Sequence, residues 1–345
     1  MSDVQLDFGF EGPLLTPAPP LKAKVRAKRP AAPAQAVPPS VPVAASGDAE
    51  ALARQLAQHP DFRVLWRLSP RLQFEPAQGA TCQVLVLDTE TTGLDPSRDK
   101  IIELALLRVT VDTATGRPCG VVQVYDGLED PGMPISAEIE ALTGISNDMV
   151  RGQRLDEARV AELLAGADLV IAHNAGFDRP FVEARLPAFA ALAWACSFAD
   201  IDWKREGLSS AKLENLALSH GWFYEAHRAE MDCHALLAVL AQPLPKSLST
   251  GLSQLLQAGT QTAFRLQATA APFEAKDLLK ARGYRWNAEQ RVWHTRLADE
   301  AALQAECDWL RASVYGARAA RVQVETLQAQ VKYSARAGEV TQRPL

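Results

Sequence analysis

A chain of 345 residues with 48% apolar side chains exceeds one ordinary domain and has the composition of a folded protein, so a main domain, a smaller one and tails are expected. Its net charge of −5 and pI near 5.8 exclude a polycation, and any contact with nucleic acid must come from local basic patches. No run approaches the ~18 apolar residues of a membrane span, and the start MSDVQLDFGFEGP lacks the apolar stretch of a secretion signal. Five widely spaced cysteines without a C-x-x-C pair read as buried free thiols of a reducing compartment, which makes the cytoplasm the expected location.

Taken in chain order, residues 1–46 hold nine of the 22 prolines between Pro13 and Pro42, with the basic run Lys22, Lys24, Arg26, Lys28 and Arg29. Such a stretch cannot bury enough apolar surface to order itself and reads as a disordered tail. Within it Gln5, Leu6, Phe8 and Phe10 resemble the short peptides by which bacterial DNA enzymes dock on the sliding clamp, a glutamine followed by apolar anchors. Residues 47–80 form a lead-in, helical from Asp48 to about Leu68. The apolar run in Gln83–Asp88 predicts a strand buried on both faces, followed by strands at Ile101–Val109 and Val121–Tyr125. Helical periodicity then covers Ala137–Leu142, Leu155–Ala165, Phe181–Leu186, Leu213–His220 and Ala229–Leu240, with strands at Leu169–Ala172 and around Trp194–Cys196. A three-strand meander followed by alternating helices and strands predicts, for residues 81–241, an α/β domain: a mixed five-stranded sheet with helices on both faces, of ribonuclease H-like type. Pro, Ser and Gly punctuation marks 242–262 as a linker with one helical turn, 263–336 as a small α+β unit of β-α-β-β-α-β pattern, and 337–345 as a tail.

Three stretches carry the chemistry. Asp88 and Glu90, two apart at the end of a buried strand, leave the same face and can grip one cation. An Asp-x-Glu pair alone is expected about once by chance in a chain of this length, and a solvated strand end is its simplest reading. Its position before Thr91-Thr92-Gly93 is what singles it out, since the glycine lets a substrate approach the backbone. The strand Leu169–Ala172 likewise runs into His173-Asn174-Ala175-Gly176-Phe177-Asp178, where Asn174 and Phe177 suit a sugar-phosphate and a stacked base. By itself His173 reads equally well as a satisfied core histidine, and Phe177 as a core aromatic. Asp232 lies on a helix with His227 five residues earlier in a loop, where an imidazole can act as a general base; His234 reads as packed or solvated. Four carboxylates and one imidazole are the inventory for holding two divalent metals and activating water for phosphodiester cleavage.

VLDTETTGL, IAHNAGFD and HRAEMD resemble the three motifs of the DEDDh 3′–5′ exonuclease family, which includes the proofreading epsilon subunit of bacterial DNA polymerase III, ribonuclease T and oligoribonuclease. The resemblance covers about Thr81 to Ala241. It implies that Asp88, Glu90, Asp178 and Asp232 hold two Mg²⁺ or Mn²⁺ ions, Asp88 bridging them. It also implies that His227 deprotonates a metal-bound water, which attacks the last phosphodiester and releases a 5′-nucleotide. Thr89, Thr91 and Leu94 would surround the 3′-terminal nucleotide, and Glu138 and Thr143 would line the same cleft, although the family often has histidine where Thr143 stands.

The C-terminal unit departs from the flexible polymerase-binding tail of the replicative subunit. Its Lys276, Lys280, Arg282, Arg285, Arg291 and Arg296, interleaved with Tyr284, Trp286 and Trp293, suit phosphate contacts plus stacking, while the aromatics also read as the core of a small domain. The expectation is a 3′–5′ exonuclease acting on single-stranded DNA ends in repair or accessory proofreading. An exoribonuclease of the same fold and a non-catalytic nucleic-acid-binding adaptor are the alternatives.

Overall fold

The computed structural model describes residues 46–345. The clamp-like peptide and the tail up to residue 45 lie outside the described residues. The described chain falls into two compact units, one of residues up to Val64 with Trp286–Arg291, the other of Leu65–Arg285 with Val292–Leu345.

In the first unit the helix Ser46–Ala57 carries a Glu50–Arg54 ion pair one turn apart. It does not continue to Leu68 as its sequence suggested: the chain turns at Gln58 and His59, and Pro60 offers no N–H to prolong a helix. Beyond it, Trp66–Arg67 forms a two-residue strand parallel to Trp222–Phe223 within the second unit.

The second unit is built on a five-stranded mixed sheet. Thr81–Thr91 runs antiparallel to Ile101–Asp112, which in turn pairs antiparallel with Arg117–Leu128. On its other side Thr81–Thr91 is parallel to Leu169–Ala172, and that strand is parallel to Ala193–Cys196. This is the predicted meander with two parallel additions. Val84–Leu87 is fully buried because both faces of the sheet are covered. Val84 and Val86 face the Leu213–Ser219, Ala229–Leu240 and Gly251–Thr260 helices, while Leu85 and Leu87 face Glu157–Leu164 and Ala175–Arg185.

Within the stretch read as a linker, Gly251–Thr260 forms a helix of 10 residues rather than one turn, with Leu252 and Leu255 fully buried in the main core. Two glycines permit this: a Cβ on Gly259 would stand 2.6 Å from Leu169 Cδ1, and one on Gly251 2.6 Å from Leu240 Cδ2. Thr250 caps the helix through Ser253 N–H and donates to the Gly116 carbonyl at 2.8 Å.

In the C-terminal region, Glu339–Pro344, Arg321–Leu327, Ala263–Ala268 and Val292–Leu297 lie side by side, every neighbouring pair antiparallel. Leu266, Leu279, Leu303, Leu310 and Val322 fill the core beneath them. The last residues, expected as a tail, therefore form a strand, held by backbone pairing rather than by apolar side chains. Irregular segments supply backbone bonds to both outer strands of the central sheet. Leu72, Phe74 and Glu75 bond to Gly120 and Val122 at one side, and the Ala329 carbonyl accepts from Trp194 N–H at the other. Among the described residues no helix is long and apolar enough to cross a membrane.

Candidate active site

Leu87 is the last residue of the central strand paired to Leu169–Ala172, so Asp88 stands just past the point where the parallel neighbour ends. Glu90, two residues on, emerges from the same side. At that level the neighbouring chain turns sharply through Asn174, whose φ of 68° lies in the left-handed region that asparagine tolerates better than most residues. The turn starts the helix Ala175–Arg185 and buries Asp178 to 2% exposure, where its Oδ1 accepts from Thr89 Oγ1 at 2.8 Å. The third element is the helix Ala229–Leu240. Asp232 on its first turns accepts from Tyr224 OH at 2.9 Å and from Arg228 N–H at 3.2 Å, which ties the helix to the incoming loop. His227 sits on that loop with φ 65°.

One carboxylate oxygen from each of Asp88, Glu90 and Asp232 lies within 4.8 Å of the others. Asp178 stands beside this trio, and its charge is felt by both Asp88 and Glu90. Crowding and burial act together on all four. Desolvation first, then neighbouring Asp178, Asp232 and Glu90, push Asp88 well above the carboxylate range. Glu90 is pushed up to about 9 by burial and then by Asp232 and Glu103. Burial likewise raises Asp178 to about 7, against hydrogen bonds that pull it down, and Asp232 to about 6, against the Tyr224 hydrogen bond and the nearby His227. Carboxylates forced this close must share protons or a cation, and an all-oxygen set fits a hard divalent ion.

Two members of the site escaped the sequence reading. Glu103, fully buried and paired opposite Glu90, accepts from Arg228 Nη2 at 2.8 Å, from Arg228 Nε at 3.1 Å and from Ala229 N–H at 2.9 Å. It anchors the start of the helix that carries Asp232. A glutamate inside the apolar run IIELALL was the available signal, since a buried carboxylate demands a partner. Tyr224 carried no comparable signal.

The remaining candidates occupy varied surroundings. Thr91 is buried and donates to the Gly93 carbonyl at 2.6 Å, and Leu94 is 64% exposed. His173 Nδ1 lies 2.7 Å from Ser197 Oγ, its ring meets Phe198 edge-on at 5.8 Å, and burial lowers its pKa to about 4. Phe177 packs against Phe181 at 5.2 Å between centroids. Glu138 is exposed on the helix Ala137–Thr143, whereas Thr143 is buried with its hydroxyl donating to Ile139 O and accepting from Ile145 N–H. His234 is packed, 3.5 Å from Glu230. In the C-terminal region Tyr284 belongs to the core, Arg282 pairs with Glu306, and Arg296 pairs with Asp200. Two of the six cations expected to face phosphates are thus already neutralised.

Comparison with known proteins finds that residues 85–240 match the Exonuclease (RNase_T) family. The PolC-type DNA polymerase III of Thermotoga petrophila is 32% identical over 131 residues, 37% of this chain and 8% of that protein. Its counterpart in Caldanaerobacter subterraneus is 27% identical over 183 residues, 50% of this chain and 12% of that one. The chain thus spans only a small fraction of the length of these relatives. Among solved structures, exonuclease X in complex with 5′ overhanging duplex DNA aligns with 49% of this chain and 99% of its own at 23% identity and a TM-score of 0.35. A complex of E. coli exonuclease I with single-stranded DNA aligns with 55% and 48% at 18% identity and a TM-score of 0.41.

Proposed function

We propose, from the match of residues 85–240 to the exonuclease family, that the protein hydrolyses the terminal phosphodiester at single-stranded 3′ ends of DNA, releasing 5′-nucleotides with the help of two Mg²⁺ or Mn²⁺ ions. The observation that carries this reading is the convergence of Asp88, Glu90 and Asp232 within 4.8 Å, with Asp178 beside them. The ions would supply charge stabilisation for the phosphoryl group and lower the cost of generating hydroxide. The protein's own residues do the rest. Asp88, Glu90, Asp178 and Asp232 hold the ions. Thr89 fixes the rotamer of Asp178, and Tyr224 fixes that of Asp232. Glu103, through Arg228, steadies the loop from which His227 takes the proton of the attacking water. In this reading Thr91, Leu94, Asn174, Phe177 and His173 would surround the strand end, and Glu138 and Thr143 would line the approach to it.

DNA is favoured over RNA because the curated relatives named above are DNA polymerases, although what this chain shares with them is a short stretch. The decisive experiment incubates the full chain with Mg²⁺ or Mn²⁺ and end-labelled single-stranded DNA and RNA, beside Asp88→Ala. Mononucleotides released from DNA 3′ ends and lost in the variant are expected. A preference for RNA would transfer the reading to an exoribonuclease, and no cleavage with either metal would leave a binding adaptor.

A further inference from the structure

The helix that delivers Asp178 is poorly held by its own sequence. Asn174 at its N-terminus makes no side-chain capping bond, Gly176 lies in its first turn, and Pro180 inside it supplies no N–H. Its position must come from its surroundings: Ala175, Phe181 and Val182 enter the core, and the residue after Asp178 makes polar contacts with a distant segment. Arg179 is fully buried, with its guanidinium over the Trp194 ring at 5.0 Å. Its donors reach the Lys332 carbonyl at 2.5 Å, the Gln330 carbonyl at 2.6 Å, the Ala329 carbonyl at 3.4 Å and Glu183 Oε1 at 2.6 Å. A buried guanidinium is tolerable only when so completely satisfied, and here three of its acceptors come from a segment about 150 residues downstream, beyond the 85–240 family match.

The same segment is tied down independently. Ala329 O accepts from Trp194 N–H at 3.0 Å, Lys332 Nζ donates to Ala258 O at 2.5 Å, and Arg336 bonds to Glu183 at 3.1 Å and Ala190 O at 2.9 Å. Residues 329–336 therefore run across the outermost parallel strand and the Asp178 helix together.

We propose that this segment is a strap and that Arg179 is a positioning residue, which uses the strap's carbonyls to fix the helix that presents Asp178, so the metal site is completed from outside the exonuclease domain. The proposal rests on the nuclease reading for its chemistry, but the geometry can be tested without turnover.

The test uses the full chain carrying Arg179→Lys, which keeps the charge and loses the fork, and Arg179→Met, which keeps apolar bulk on Trp194 and loses every donor. Mn²⁺ binding is measured by calorimetry without nucleic acid, hydrogen exchange is followed across residues 175–185, and kcat and KM are measured on single-stranded DNA. Expected are Mn²⁺ binding weakened by about tenfold, as for other residues that orient metal ligands, a kcat reduced at least as much with KM little changed, and faster exchange confined to that helix. Arg336→Ala removes only the second tie and should move Mn²⁺ binding in the same direction by a smaller factor, which keeps the idea testable should the Arg179 variants not fold. Wild-type Mn²⁺ affinity in folded Arg179 variants, or in Arg336→Ala if those variants do not fold, would overturn it and leave Arg179 a packing residue. Failure of the nuclease reading looks different: the wild type would bind Mn²⁺ and cleave neither DNA nor RNA.

Discussion

Asp88 sits where four acids meet, and the burial and crowding that raise its pKa favour a cation at the site. Unfolded carboxyl groups lose their protons near pH 4, whereas Glu90 is held up to about 9, Asp178 to about 7 and Asp232 to about 6. Between those limits the metal-free native state binds more protons than the unfolded chain, so its stability falls as pH rises from about 4 towards 9. A divalent ion held by these acids would displace those protons, and its affinity should therefore grow over the same range. Thermal melts with and without Mn²⁺ should show a larger stabilisation at pH 8.5 than at pH 6; an equal increment would contradict the raised values. Glu103→Gln tests the neighbouring support. It breaks a pair with one fully buried and one half-exposed partner, for which a loss of about 1–3 kcal/mol in urea unfolding is expected. Activity should fall with it, because Arg228 holds the loop of His227 and bonds to Asp232.

Elements were legible where burial writes a pattern. The doubly buried Val84–Leu87 and Leu169–Ala172 are unbroken apolar runs that end at the acids, which is why both strands and Asp88, Glu90 and Asp178 could be read together. The Gly251–Thr260 helix was hidden because punctuation in PLPKSLSTG drew attention to the turn before it, and because its glycines serve close approach to Leu240 and Leu169, a tertiary reason. The Glu103–Arg228 pair spans 125 residues and leaves no local trace. The strand Glu339–Pro344 was missed for lack of apolar alternation, since most of its residues are exposed and it is held by backbone pairing with Arg321–Leu327 and by polar side-chain bonds such as Arg343 to Glu300. Gly338 leads into that strand, and a Cβ there would strike the Thr326 carbonyl oxygen. Gly338→Ala is expected to cost about 1–3 kcal/mol of stability in urea titration. An unchanged midpoint would mean that the strand end shifts freely.

At the scale of the molecule, the region from Ala263 onward reads in sequence as a detachable module, yet its removal would also take away Ala329, Lys332 and Arg336, which bind the Asp178 helix, the outermost parallel strand or the Gly251–Thr260 helix. A chain ending at Thr262 should therefore lose metal binding and cleavage together rather than nucleic-acid affinity alone, as Mn²⁺ calorimetry and the nuclease assay can establish. The backbone bonds at both sides of the central sheet carry a different consequence. Unpaired strand borders invite other chains to add on, and here residues 72–75 occupy one border while Ala329 blocks the other. Stripping either cover would expose a template for intermolecular pairing, so light scattering of the truncated chain should detect concentration-dependent aggregates where the intact chain gives none. The segment that steadies a catalytic helix would then also be a guard against self-assembly.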